Sequence, residues 1–123
     1  MLFRSVLEEA EFNLMVGTVS AWYPALTLGI EAGIFALANC CPDECAQMQS
    51  FYKEGKEAES VALYRRMFPV NAAVTGKYGI AGLKYVATQL GYKGGYVRLP
   101  LLELSEQKKK ELDQIMKTAG LQA

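Results

Sequence analysis

The side chains able to do chemistry in this chain are lysines, cysteines, tyrosines and carboxylates, because none of its 123 residues is histidine. That removes the commonest general base near neutral pH and excludes a Ser–His or Cys–His nucleophile. Cys40, Cys41 and Cys45 are the three cysteines. Zinc held by them would need all three thiolates and a fourth ligand, either a carboxylate or one from outside. The simpler reading is three reduced thiols beside a helix start, where cysteine packs as a small hydrophobe. A lysine becomes a Schiff-base nucleophile when burial lowers its pKa and frees the amine. Lys77 and Lys84 fall in a helix-patterned stretch, where the ordinary state is a protonated amine on an exposed flank. The run Lys108 to Lys110 reads as the solvated face of a helix, with a functional basic patch as the alternative.

Composition narrows the classes further. Thirteen Lys plus Arg balance thirteen Asp plus Glu, so no overall field recruits nucleic acid or an anionic membrane. Half of the residues are hydrophobic, enough for one domain-sized core and too many for a disordered chain. The longest apolar stretch, around Trp22 to Leu28, is interrupted by Pro24, Gly29 and Glu31 and does not read as a membrane span. Glu8 and Glu9 argue against a cleaved targeting peptide at the start. The expectation is a soluble protein with no nucleic-acid or membrane partner, cytoplasmic, or mitochondrial in a eukaryote.

Two short apolar runs, Phe12 to Val16 and Gly33 to Ala38, have the length of buried strands. Between them Ser20 to Leu28 places Trp22, Ala25, Leu26 and Leu28 at helix-compatible positions and stops at Gly29, a residue suited to a left-handed turn. Strand, helix, strand of this size is a βαβ unit, and such units make parallel pairs covered on both faces. Everything from Pro42 onward reads as helix and turn, so nothing in the chain offers these two strands further neighbours.

Four helices are expected in that second part. Pro42, Asp43 and Glu44 open the first, with Cys45, Met48 and Tyr52 on one face and Gly55 after its end. Glu57 begins the second, with Val61, Tyr64 and Phe68 at helical spacing, and Pro69 is expected to kink it. Ile80, Leu83, Val86, Ala87 and Leu90 line the third, up to Gly91. Tyr96 to Leu102, which contains Pro100, reads as a connector. Ser105 is the expected N-cap of a last helix buried along Leu112, Ile115, Met116 and Ala119, with Gly120 and Leu121 folding back on Met116.

The segments GT…AGIFALAN, NAAVTGKYGIAGLKYVATQLGYKGG and VRLPLLELSE, with a terminal helix ending in AGL, resemble the C-terminal part of the dihydrodipicolinate synthase/N-acetylneuraminate lyase family. GIAGLKY followed by GYKGG is more similar to its 4-hydroxy-2-oxoglutarate aldolases than to the synthases proper, which usually carry an NPxPVK-like segment there. The resemblance implies an α/β fold: a C-terminal fragment of a (β/α)8 TIM barrel, its last βαβ part in residues 1–41, followed by an α-helical C-terminal segment in residues 42–123. The two runs would be strands seven and eight of a barrel that ordinarily takes about 250 residues.

The resemblance also implies the chemistry. The family consists of Schiff-base aldolases and lyases in which a lysine on the sixth strand forms an imine with pyruvate or a related 2-keto acid. They need no metal and no cofactor, and a homo-oligomer is expected. No segment corresponding to the lysine-bearing strand is found here, so this chain is expected to hold no catalytic residue and to be inactive alone. What it would carry is pocket wall. Gly17 matches the family glycine that lets backbone approach the keto acid, Ile34 matches the aliphatic residue bordering pyruvate, and Thr18 is a further polar contact. Periodicity alone would make Gly17 a turn glycine and Ile34 a core residue. The alternative to a truncated or split lyase is a non-enzymatic helical interaction module or subunit.

Overall fold

The computed structural model describes residues 13–121. Phe12, expected to start the first strand, and the acidic residues Glu8 and Glu9 lie outside them. Two strands, β1 (Met15–Val16) and β2 (Ala32–Gly33), pair in parallel with Met15 opposite Ala32 and Val16 opposite Gly33. They are the only strands among the described residues. A 3₁₀ turn (Val19–Ala21) and the short helix α1 (Trp22–Thr27) make the crossover, and Gly29 takes the left-handed conformation (φ 79°) that lets the chain turn back.

The second strand is much shorter than the apolar run predicts. Beyond Gly33 only Ile34 and Phe35 stay outside a helical turn, and Ala36–Asn39 coils into a 3₁₀ turn. The cause is local. Leu37 is fully buried and Asn39 Nδ2 donates to the Ala36 carbonyl at 3.0 Å, closing the turn in place of an extended ladder.

Four helices follow: α2 (Pro42–Lys53), α3 (Glu57–Ala72), α4 (Gly79–Gln89) and α5 (Glu106–Thr118). Proline in the first turn opens α2, and Gly55, Gly91 and Gly120 follow α2, α4 and α5 with positive φ, so the caps fall where composition places them. Leu121 folds back as expected, its N–H donating to the Met116 carbonyl at 2.9 Å. Ser105 occupies the N-cap position of α5, but its hydroxyl makes no capping bond.

Helix α3 runs through Pro69 and passes into one π turn (Ala73–Lys77) before α4. Its buried stripe is Ser60, Leu63, Met67, Val70 and Asn71, whereas Phe68 is 42% exposed and Val61 and Tyr64 are only partly buried. The expected stripe is therefore rotated: apolar residues surround this helix, and the face toward α2 and the crossover wins. Ile80 is likewise exposed on α4 while Gly82 is buried, because a Cβ at Gly82 would sit 2.5 Å from the Tyr78 Cβ and the helix approaches its neighbours on that side.

One apolar core runs from Val19 through Trp22, Leu37, Met48, Met67 and Val86 to Leu112 and Leu121. Two hydrogen bonds tie the crossover and α3 into it: Trp22 Nε1 donates to the Cys45 carbonyl (3.2 Å), and the buried Ser60 hydroxyl to the Met48 carbonyl (2.8 Å). All of this lies on one side of the two-stranded sheet. Val16 and Phe35 pack against the core, Phe35 edge-on to Trp22 with ring centroids 5.0 Å apart. Met15 and Ile34, on the other face by strand alternation, are 52% and 71% exposed.

Glycine substitutions test this packing. A Cβ at Gly94 would lie 2.0 Å from the Lys84 carbonyl oxygen, whereas one at Gly76 meets nothing within 4 Å. Gly94→Ala is expected to cost about 1–3 kcal/mol in urea unfolding, and Gly76→Ala to be neutral or stabilising by up to about 1 kcal/mol.

Candidate functional site

The C-terminal ends of β1 and β2 carry the residues singled out by sequence. Gly17 follows β1 directly, and its position continues the exposed side on which Met15 lies. Its backbone is not in the left-handed region, and a Cβ there would meet nothing within 4 Å, so neither turn geometry nor crowding from the described residues demands glycine. Ile34 follows β2. Its N–H donates to the Val16 carbonyl at 2.9 Å, which fixes its backbone against β1, and its side chain stands in the open. It is not a core residue of this chain. Gly17 and Ile34 thus lie at the same end of the sheet, on its uncovered side.

Thr18 is turned the other way. Its hydroxyl accepts from the Ser20 N–H (3.3 Å), capping the 3₁₀ turn, and from Asn71 Nδ2 (3.2 Å). Asn71 also donates to the Ser20 hydroxyl (2.8 Å), and the Tyr64 hydroxyl donates to the Ser20 carbonyl (2.6 Å). Helix α3 therefore clamps the loop that leaves β1 through two polar side chains. Asn71 is almost fully buried, and its Oδ1 has no hydrogen-bond partner among the described residues. This clamp was missed by sequence reasoning. The available signal was a polar residue four positions after Met67, on the stripe of a helix whose other members are apolar.

Lys77 and Lys84 make hydrogen bonds within the helical segment. Lys77 Nζ lies 2.8 Å from Glu111 Oε2, which also accepts from the Tyr78 hydroxyl; these hydrogen bonds hold the Lys77 ammonium well above its usual range and pull the Glu111 carboxyl down to about 2. Lys84 Nζ donates to the Gly94 carbonyl at 2.7 Å and pins the loop after α4. Both amines are engaged by groups of the helical segment, Lys77 by Glu111 and Lys84 by Gly94, and neither bonds a strand residue among the described hydrogen bonds.

The cysteines are buried and free. Burial pushes the Cys45 thiol up to about 12, and the bond that Cys41 makes to Cys40 Sγ (3.9 Å) raises the Cys41 thiol. No group of three metal-ligating side chains occurs among the described residues. None of their helices is long and apolar enough to cross a membrane.

Two concavities among the described residues lie away from Gly17 and Ile34. One of about 610 Å³ lies between Ile80, Lys84 and the segment 95–101, and one of about 560 Å³ sits at the opposite end of the strands, around Asn13–Met15 and Gly29–Ala32. At the Gly17 end both Gly17 and Ile34 are exposed, and together they form a stretch of wall at the strand ends.

Comparison with known proteins identifies the family of the chain. The family model described as "Dihydrodipicolinate synthetase family" matches residues 4–119. This chain belongs to that family. The 4-hydroxy-tetrahydrodipicolinate synthase of Methanocaldococcus jannaschii is 28% identical over 116 residues, 94% of this chain and 40% of the relative. That of Rhizobium meliloti is 32% identical over 111 residues, 90% of this chain and 38% of the relative. A crystal structure of a dihydrodipicolinate synthase superposes with a TM-score of 0.82 at 27% identity, covering 96% of this chain and 41% of its own. The chain thus spans about two-fifths of the length of the curated relatives it matches. The structural neighbours are TIM barrels, whose active sites lie at the C-terminal ends of the strands, the end at which Gly17 and Ile34 stand here.

Two measurements check the elements that hold this wall. Asn71→Ala removes the donor shared by the Thr18 and Ser20 hydroxyls and is expected to lower the unfolding free energy by about 1–3 kcal/mol in urea titrations. Because the folded-state pKa of Glu111 lies below its unfolded value, its contribution is present above the ordinary carboxylate range and is lost as pH falls from about 4.5 toward about 2. Glu111→Gln should therefore be less stable than the natural protein at neutral pH and should lose less stability across that acid window, as read from melting temperatures at stepped pH.

Proposed function

We propose that this chain supplies the C-terminal part of a pyruvate-dependent, Schiff-base carbon–carbon lyase, with its last βαβ part in residues 1–41 and its helical segment in residues 42–123. The observation that carries the reading is the pairing of family membership with an uncovered, apolar strand end bearing Gly17 and Ile34. In this reading Gly17 lets main chain come close to the 2-keto acid, and Ile34 forms the apolar border that keeps water from the bound ketone. Thr18, its hydroxyl engaged by Asn71 and Ser20, shapes the loop between them.

The substrate class that the Gly79–Tyr85 and Gly91–Gly95 motifs favour is 4-hydroxy-2-oxoglutarate. An amine elsewhere in the barrel would condense with the C2 ketone and release water. The C4 hydroxyl then loses its proton, the C3–C4 bond breaks, glyoxylate leaves, and the bond pair is held as an enamine. Protonation at C3 and hydrolysis of the imine return pyruvate and the free amine. The second reading, a synthase that condenses pyruvate with another carbonyl compound, is favoured by the names of the curated relatives.

Borohydride reduction with pyruvate tests both levels. The isolated chain is expected to gain no mass adduct, and one on Lys77 or Lys84 would overturn the assignment of those lysines as structural. A chimera joining the lysine-bearing barrel portion of the Rhizobium meliloti enzyme to this chain is expected to form the adduct. Ile34→Glu in that chimera should slow trapping about tenfold or more, since a carboxylate would be buried beside the keto acid's own. Release of glyoxylate from 4-hydroxy-2-oxoglutarate separates the aldolase reading from the synthase reading.

A further inference from the structure

We propose that Cys40 and Cys41 form a modification site, at which hydrogen peroxide joins the two neighbouring sulfurs in a reversible disulfide that opens the 3₁₀ turn after β2. The site lies within the described residues and stands whether or not Ile34 borders a keto acid.

Geometry singles this pair out from the three thiols. Cys41 Sγ lies 3.9 Å from Cys40 Sγ and donates to it, and Cys40 Sγ donates in turn to the Leu37 carbonyl at 3.3 Å. The two sulfurs therefore already stand on the same side of the chain. Closing the bond brings them together by about 1.9 Å, to the roughly 2.0 Å of a disulfide. Cys45, one helical turn further on, makes no thiol hydrogen bond among the described residues.

The thiol–thiol bond gives the two residues unlike roles. It holds the Cys40 thiol below its ordinary value, against the opposing effects of burial and the Glu44 carboxylate, and together with burial it raises Cys41. Cys40 is the nucleophile. Its thiolate attacks one peroxide oxygen, the O–O bond breaks, and the departing hydroxide takes up the proton that Cys40 released. The Cys41 sulfur then attacks the Cys40 sulfenic acid: the S–S bond forms, the S–O bond breaks, and hydroxide leaves with the Cys41 proton as water. Two thiols are oxidised, one peroxide is reduced, and two waters result. Both thiols are almost fully buried, but Asn39, Pro42 and Asp43 beside them are exposed, so a water-sized oxidant reaches them by local opening of this short turn.

The backbone couples this chemistry to the turn. The Leu37 carbonyl accepts from the Cys40 N–H (3.0 Å), the Cys41 N–H (2.9 Å) and the Cys40 thiol, and these bonds hold the end of Ala36–Asn39. Oxidation removes the thiol donor. It also turns the Cys40–Cys41 backbone, because adjacent Cα atoms across a trans peptide stand about 3.8 Å apart, whereas a disulfide ordinarily spans roughly 4.4–6.8 Å. A bond made outside that span is readily reduced, so a dithiol reverses the change.

The test uses the purified full chain, reduced, desalted and treated with millimolar hydrogen peroxide. Alkylation under denaturing conditions is expected to find Cys45 as the one remaining thiol, with the intact mass lowered by two hydrogens. Cleavage after Asp43 or Glu44 separates Cys45 from the pair and so locates the bond. Cys45→Ser should oxidise as the natural chain does, and Cys40→Ser and Cys41→Ser should form no disulfide. Amide exchange at Cys40 and Cys41 should quicken about tenfold or more on oxidation and return with dithiothreitol, while Leu63 and Met67 of α3 keep their rates. The proposal is overturned if all three thiols survive, if the bond includes Cys45 or joins two copies, or if the pair passes to sulfinic acid with no disulfide. It is overturned equally if the oxidised chain exchanges at Cys40 and Cys41 as the reduced one does, or if α3 loosens together with the turn.

Discussion

A parallel pair of strands cannot be half-buried at no cost, and this constraint governs the whole structure. Parallel ladders are joined by crossovers that lay helices against the sheet, so such strands are built from residues apolar on both faces. Among the described residues, helices cover one face only. The side chains on that face, Val16 and Phe35, meet Trp22 and the core behind it; those on the other, Met15 and Ile34, meet solvent. Ladder bonding between the strands is correspondingly brief, with two residues in each.

The covered side is held much more firmly. Among the described elements, helices α2 and α3 make the most extensive packing, and the crossover is fastened to them by an indole bond to a backbone carbonyl and by the Tyr64 and Asn71 contacts to the loop after β1. These polar contacts are directional where apolar packing is not, and they set the position of the loop that follows Gly17. The wall at the C-terminal strand ends is therefore carried by the helical part of the chain, although no helix of that part lines it. The paired Lys77–Glu111 contact and the Lys84 bond to Gly94 serve the same helical scaffold from its far side.

Much of this architecture was legible in the sequence where local chemistry decides it. Pro42 marks a helix start, and Gly29, Gly55, Gly91 and Gly120 mark left-handed exits, because few other residues do those things cheaply. Where several residues satisfy the same rule, the reading failed. The run Ile34 to Ala38 fits either a strand or a turn by hydrophobicity, and the burial of Leu37 chose the turn. Helix α3 is apolar on more than one side, and only its neighbours select Leu63, Met67 and Val70 over Val61, Tyr64 and Phe68. Ile80 illustrates the same limit: period predicts a face but not which face is covered. Within the site, Gly17 and Ile34 were legible through family motifs, whereas the Asn71 clamp depends on a contact across 53 residues that no local pattern encodes.

Among the described residues the strand pair carries its exposed side chains, Met15 and Ile34, on one face and has no further strand beside it. Amide hydrogen exchange, followed residue by residue on the purified protein, measures this directly. Exchange at Met15, Gly17, Gly33 and Phe35, whose amides point away from the ladder that Val16 and Ile34 share, should be orders of magnitude faster than at Leu63, Met67 and Val70 of α3. Strand amides protected to the same degree as those of α3 would contradict it, because the sheet would then be complete within this chain.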